Sequence, residues 1–155
     1  MFVAKNLFLF FLLLLFVICP GFGQPLDGDR NPVTLVGLTL EYLINNFGIP
    51  QSVYAVRGLE EWQDDVVFVY DVGDFYIYRN RVWQVGLRTL MGINIGDPGS
   101  AASLVLDGAP GFTRMNSPRD SVAYSMPPGS WPMILRCDFD DDGRIRGIFL
   151  FRSDL

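Results

Sequence analysis

The chain offers few residues able to do chemistry, and the missing types exclude whole reaction classes. Histidine is absent from all 155 positions. Without it there is no Ser-His-Asp or Cys-His pairing, no histidine-ligated zinc, and no side chain whose ordinary pKa suits a general base near neutral pH. Gly96-Asp97-Pro98-Gly99 lacks the spacing with which a glycine-rich loop cradles phosphate. Carboxylates, hydroxyls and a thiol remain.

Two segments concentrate the carboxylates. Asp138-Phe139-Asp140-Asp141-Asp142-Gly143 has the D-x-D-x-D-G spacing that opens an EF-hand loop, and Ile145 falls on the apolar eighth position. The ninth position is Arg146, and the twelfth, where a bidentate glutamate is required, is Phe149. The flanks alternate like strands. The segment reads as a solvated hairpin turn, with Asp138, Asp140 and Asp142 a weak calcium candidate, and no cofactor is expected. The second cluster is Glu60-Glu61-Trp62-Gln63-Asp64-Asp65. A pair of carboxylates beside a sugar-stacking tryptophan is the equipment of glycoside hydrolysis. Acids this close repel one another, however, which favours a charged, exposed loop. Cys137 reads as a small buried hydrophobe on a strand.

Aromatic residues crowd the first half: Tyr54, Trp62, Phe68, Tyr70, Phe75, Tyr76, Tyr78 and Trp83. In a strand at Phe75–Tyr78, Phe75 and Ile77 share one face while Tyr76 and Tyr78 share the other. Beside Arg79, Arg81 and Trp83, the second face has the composition of a protein-binding hot spot. These five residues, Tyr76, Tyr78, Trp83, Arg79 and Arg81, are the candidate protein-binding set. The alternative is that helices cover one face and the tyrosines are ordinary half-buried strand residues.

The elements that must position them follow from periodicity. Leu40, Leu43, Ile44 and Phe47 have the three-and-four spacing of an amphipathic helix, with Thr39 as N-cap and Gly48 as terminator before Pro50. Strands are predicted at Ser52–Val56, Val66–Tyr70, Phe75–Tyr78 and Val82–Leu87. The order then repeats. Asp97 caps a helix opening at Pro98 and running to about Asp107, where Gly108 stops it. A looser Pro/Ser/Gly-rich stretch, Gly111–Pro132, leads into strands Met133–Phe139 and Arg144–Arg152. Gly48-Ile49-Pro50 matches Gly108-Ala109-Pro110, and Arg81-Val82-x-x-Val85-x-Leu87 matches Arg144-Ile145-x-x-Ile148-x-Leu150. The expected fold class is α+β: a tandem repeat of a short helix packed on an antiparallel meander, two-layered, with repeats over 33–88 and 89–155 in one compact unit. The spacing of three inside the matched strands predicts β-bulges near Trp83-Gln84 and Arg146-Gly147.

A short helix ending in G-x-P, followed by a meander closing on turn-R-V/I-x-x-V/I-x-L, resembles the β-lactamase-inhibitor-protein-like fold. The SmpA/OmlA (BamE-like) outer-membrane assembly lipoproteins share it, as do exported domains of unknown function. The resemblance spans roughly Leu35 to Arg152. It implies a layered α+β structure whose sheet face or loops bind another protein, and it brings no catalytic residues.

At the N-terminus, Lys5 precedes an apolar run from Leu7 to Ile18, and Gly21 and Gly23 supply the small residues of a signal-peptidase site before Gln24. The run is well short of the ~20 residues that span a bilayer. Residues 1–23 read as a signal peptide and 24–32 as a flexible leader. Lipidation at Cys19 is the alternative, although Ile18 before it and Pro20 after it are unfavourable. The chain carries 17 acidic against 12 basic residues, a net charge of −5, and an acidic surface repels nucleic acid and anionic lipid. The expectation is therefore an exported, periplasmic or secreted, non-enzymatic protein-binding or envelope-assembly module. Its partner is a protein, without nucleic acid, and it meets the membrane only if lipidated. A secreted enzyme inhibitor acting through Gly111–Pro132 is the alternative, and a hydrolase using Glu60, Glu61, Asp64 or Asp65 the weaker one.

Overall fold

The computed structural model describes residues 32–57, 65–126 and 129–154. The signal segment, Cys19, Gly23 and Gln24 lie outside the described residues, as do Glu60, Glu61, Trp62 and Asp64.

The described residues form one eight-stranded antiparallel sheet and a separate two-stranded hairpin, with two α-helices. A short 3-10 turn, Pro32–Leu35, precedes helix α1 (Leu40–Phe47). Strands β1 (Ser52–Val56), β2 (Asp65–Tyr70), β3 (Gly73–Tyr78) and β4 (Arg81–Leu87) follow as a meander. A small separate hairpin, β5 (Thr89–Leu90) and β6 (Ile93–Asn94), leads to helix α2 (Gly99–Leu106). The second meander is β7 (Thr113–Met115), β8 (Ser121–Ser125), β9 (Met133–Phe139) and β10 (Ile145–Arg152). The sheet order is β1-β2-β3-β4-β10-β9-β8-β7, so the two meanders join along β4 and β10 at the centre.

Thr39 and Gly48 delimit α1 as its sequence demands. Thr39 Oγ1 accepts the Tyr42 amide at 3.2 Å, and Gly48, at φ 78°, donates its N–H to the Ile44 carbonyl. The start of α2 departs from expectation. Pro98 is the N-cap and gives no side-chain cap, because Asp97 Oδ2 accepts the Asn94 amide at 2.8 Å instead. The carboxylate that would have capped the helix is used to close the turn before it.

Both helices pack on one face of the sheet. Leu43 from α1 and Ala102 and Leu106 from α2 join Phe75, Ile77, Val85, Leu87, Leu135, Cys137, Ile148 and Leu150 in a single core. Phe47 fixes α1 over β2 and β3, its ring 5.7 Å from that of Tyr70 and 5.5 Å from that of Phe75. Cys137 is fully buried. At the ends of the sheet, Trp131 ties distant segments together. Arg152 stacks on its indole at 3.7 Å, and the indole lies where a side chain on Gly37 would otherwise stand.

The bulges fall at the expected places. Pairing of β3 with β4 steps from Tyr76↔Gln84 to Ile77↔Val82, leaving Trp83 as the extra residue. Pairing of β9 with β10 steps from Phe139↔Ile145 to Asp138↔Gly147, leaving Arg146. Each extra residue lets both ends of a strand with a three-residue apolar spacing face the same core. The looser stretch Gly111–Pro132 is not an irregular loop throughout: it contains β7 and β8, and Ser121 to Tyr124 are buried. Pro, Ser and Gly are turn formers by local preference, and pairing of β8 with β9 overrides that preference here.

Candidate functional site

The opposite face of the sheet is covered by no helix among the described residues, and its side chains can be followed across the strands from the register. One row runs Tyr54–Val67–Tyr76–Gln84–Phe151–Ile134, and the next runs Asp74–Gly86–Phe149–Arg136–Ala123. Alternation with the core residues sets this orientation: Phe75 and Ile77 point to the helices, so Tyr76 and Tyr78 point away.

Trp83 is on this face because of the bulge, which puts it beside Gln84. Its indole Nε1 donates to Asp65 Oδ1 at 2.8 Å. Asp65 is buried at the start of β2, two strands away, so the indole reaches across β3. Tyr76 is half-buried next to Tyr54. Burial first, then the neighbouring Tyr54 and Asp74, raises its hydroxyl pKa above the ordinary value. Tyr78 closes β3, its ring 5.2 Å from the guanidinium of Arg79. Arg79 and Asn80 both have positive φ, 47° and 64°, the geometry of a two-residue type I′ hairpin.

Arg81 does not join the others. Its Nη1 donates to the Gly37 carbonyl at 3.0 Å, a bond that holds the strand to the segment before α1. Of the five candidates, Tyr76, Tyr78 and Trp83 share the helix-free face, Arg79 sits at its rim, and Arg81 is occupied in the scaffold.

The second meander contributes what the sequence reading left out. The Arg136 guanidinium carbon lies 5.5 Å from the ring centres of both Phe149 and Phe151. Its Nε is 2.8 Å from Asp138 Oδ1. Phe149 rests in space left by two glycines. A Cβ on Gly147 would stand 2.5 Å from its ring, and one on Gly86 would stand 3.6 Å from it. A signal for these residues exists in the sequence: Phe149 and Phe151 alternate with Ile148 and Leu150, and Arg136 alternates with Leu135 and Cys137. That signal acquires meaning only once β10 is known to pair with β4.

The carboxylates of the D-x-D-x-D-G segment are divided between the sheet face and the hairpin turn. Asp138 is bound to Arg136 on the sheet face, while Asp140 Oδ1 accepts the amides of Asp142 and Arg144 at 3.0 and 2.9 Å. Gly143, at φ 72°, completes a tight hairpin turn by donating to the Asp140 carbonyl. Among the described residues no group of three acidic or thiol side chains converges as a metal site. A groove of about 540 Å³ lies on the other side of the molecule, between α2 and the β7–β8 connection, with Ser100, Ser103, Arg114, Arg119 and Phe139 in its wall. It contains none of the candidate residues.

Chemically, the helix-free face offers flat rings, a guanidinium held between two of them, and carboxylates already engaged by Trp83 and Arg136.

No known protein family and no curated protein matches the chain. Among solved structures, it is similar to an extracellular protein containing an SCP domain from Bacillus anthracis. The two are 10% identical with a TM-score of 0.50, and the alignment covers 84% of this chain and 48% of that one. The chain thus spans about half the length of that structure, and at this identity the likeness concerns the fold. Among the described residues no helix is long and apolar enough to cross a membrane.

Proposed function

We propose that the chain is an exported, non-enzymatic binding module that captures a protein partner on the helix-free face of its sheet. The observation that carries this reading is the set of aromatic side chains, exposed Tyr54 and half-buried Tyr76, Trp83, Phe149 and Phe151, that the register places on one face together with Arg136. Aromatic and arginine side chains dominate the energetics of protein interfaces, because a large rigid area is gained there at little entropic cost. Export rests on the N-terminal sequence, and the extracellular character of the structurally similar protein is in keeping with it.

The same proposal takes the architecture as a duplicated unit of the β-lactamase-inhibitor-like kind. Matching bonds in the two halves support this. Arg81 Nη1 donates to Gly37 O at 3.0 Å, and Arg144 Nη1 donates to Gly96 O at 2.9 Å. Gly37 N donates to Val82 O, and Gly96 N to Ile145 O. Bridges Thr39↔Arg81 and Pro98↔Arg144 stand at the same place before each helix. The two bulge residues, Trp83 and Arg146, occupy matching positions in β4 and β10.

The test is crosslinking capture from the exported fraction of the native host, using the tagged protein and a Tyr76→Ala/Trp83→Ala variant shown to be folded. A reproducible partner lost in the variant supports the reading. A partner retained by the folded variant, or none captured by the unaltered protein, contradicts it.

A further inference from the structure

The end of the sheet formed by β1 has a different character from the rest of the surface. Among the described residues, seven of the eleven exposed large apolar side chains lie between Tyr42 and Val66. All five residues of β1 are exposed, with Val53 at 51% and Tyr54 at 44%. Its register with β2 runs unbroken from Ser52↔Val69 to Val56↔Asp65. No charge, proline or bulge interrupts it. Edge strands normally carry such devices, because a bare edge is a template for another strand. The opposite edge has them: β7 is only three residues long and carries Arg114, paired with Asp107 at 3.1 Å.

We propose that β1 is the interface for a second copy of this chain. Two β1 strands pair antiparallel about a two-fold axis at Tyr54 and join two eight-stranded sheets into one. The occupant follows from self-complementarity. With Tyr54 facing Tyr54 of the partner subunit, Val53 faces Ala55 of the partner subunit and Ser52 faces Val56 of the partner subunit. Only uncharged side chains meet, although the chain as a whole is acidic. One step further out, Arg57 faces Gln51 of the partner subunit. The Gln51 side-chain amide is bonded to the Asp71 carboxylate, so each copy brings a cation towards the other's anion, twice by symmetry. An isologous contact of this kind closes on itself and stops at two copies. The pairing brings Tyr54, which lies on the helix-free face, to the two-fold axis, while Val53 and Ala55 point to the other side of the sheet.

Sedimentation equilibrium of protein produced from the full 155-residue sequence tests it. The expected result is a twofold mass that falls to monomer on dilution, and an Ala55→Asp variant with unchanged circular dichroism that stays monomeric at every concentration. Oxidation of Tyr54→Cys should give a covalent dimer, while Thr113→Cys on β7 and the unsubstituted chain should not. This crosslink decides the matter should Ala55→Asp fail to fold. A monomer throughout the accessible concentration range, a dimer indifferent to a folded Ala55→Asp, or crosslinking through Thr113→Cys in place of Tyr54→Cys would overturn the proposal.

Discussion

Trp83 on β4 donates a 2.8 Å hydrogen bond to the buried carboxylate of Asp65 on β2, with β3 lying beneath the indole. One bond therefore pins three strands of the helix-free face and fixes the largest ring on it. It exists because the bulge turns Trp83 out of the core row.

Replacing Trp83 with Phe keeps most of the ring and removes the donor. Loss of a partner to a buried charged acceptor costs about 1–3 kcal/mol. Urea unfolding of Trp83→Phe should show a lower midpoint at unchanged slope. Asp65→Asn should cost less, since an amide oxygen still accepts.

Gly147 holds no side chain because Phe149 occupies that space. Gly147→Ala should displace the ring from Arg136 and cost roughly 1–3 kcal/mol, as overpacking does. Phe149→Leu in the same chain should recover part of the loss. An Ala variant as stable as the parent would mean that the ring has room to move.

The matched arginines give a stability test of duplication. Arg81→Met and Arg144→Met each delete one side-chain bond to a carbonyl, at 3.0 and 2.9 Å. Each should cost about 0.5–1.5 kcal/mol, and the two costs should agree closely. A large difference would show that the two sites carry unequal loads.

Cys137 is buried beside Asp138, and burial first, then that carboxylate, pushes its thiol from an ordinary 9.0 up to about 11. The folded state therefore holds its proton where the unfolded chain releases it. Its contribution is fully present below pH 9, falls as pH rises from 9 to 11 and then levels off. Cys137→Ala should flatten that part of the stability–pH curve. In the folded protein the thiol should resist alkylation at pH 8 and react once urea unfolds the chain.

Much of this structure could be read from the sequence, and the remainder has physical reasons. Strands Ser52–Val56 and Met133–Phe139 are found at their predicted limits because alternation and turn residues mark them without conflict. Strand β8 was hidden because Ser121-Val122-Ala123-Tyr124 lacks a polar–apolar alternation and sits among turn formers. Asp97 has the local signature of a cap for α2, but the amide of Asn94 competes for its carboxylate and wins. On the helix-free face, Tyr76, Tyr78 and Trp83 were visible from local alternation and bulge spacing. Arg136, Phe149 and Phe151 were not, since their contribution depends on a pairing between halves that local pattern does not encode.

That pairing has a consequence for how the molecule is made. Strand β10 comes last among the strands in chain order yet sits in the middle of the sheet, against β4. Until residues 145–152 arrive, each meander ends in a bare inner edge, one of them lined by Val82, Val85 and Leu87. Closing so distant a pair is slow compared with forming hairpins. The interval before it closes is when the nascent chain is most open to sticking to its neighbours, and a guardian that shields β4 during that wait would serve this protein better than one that shields its finished surface.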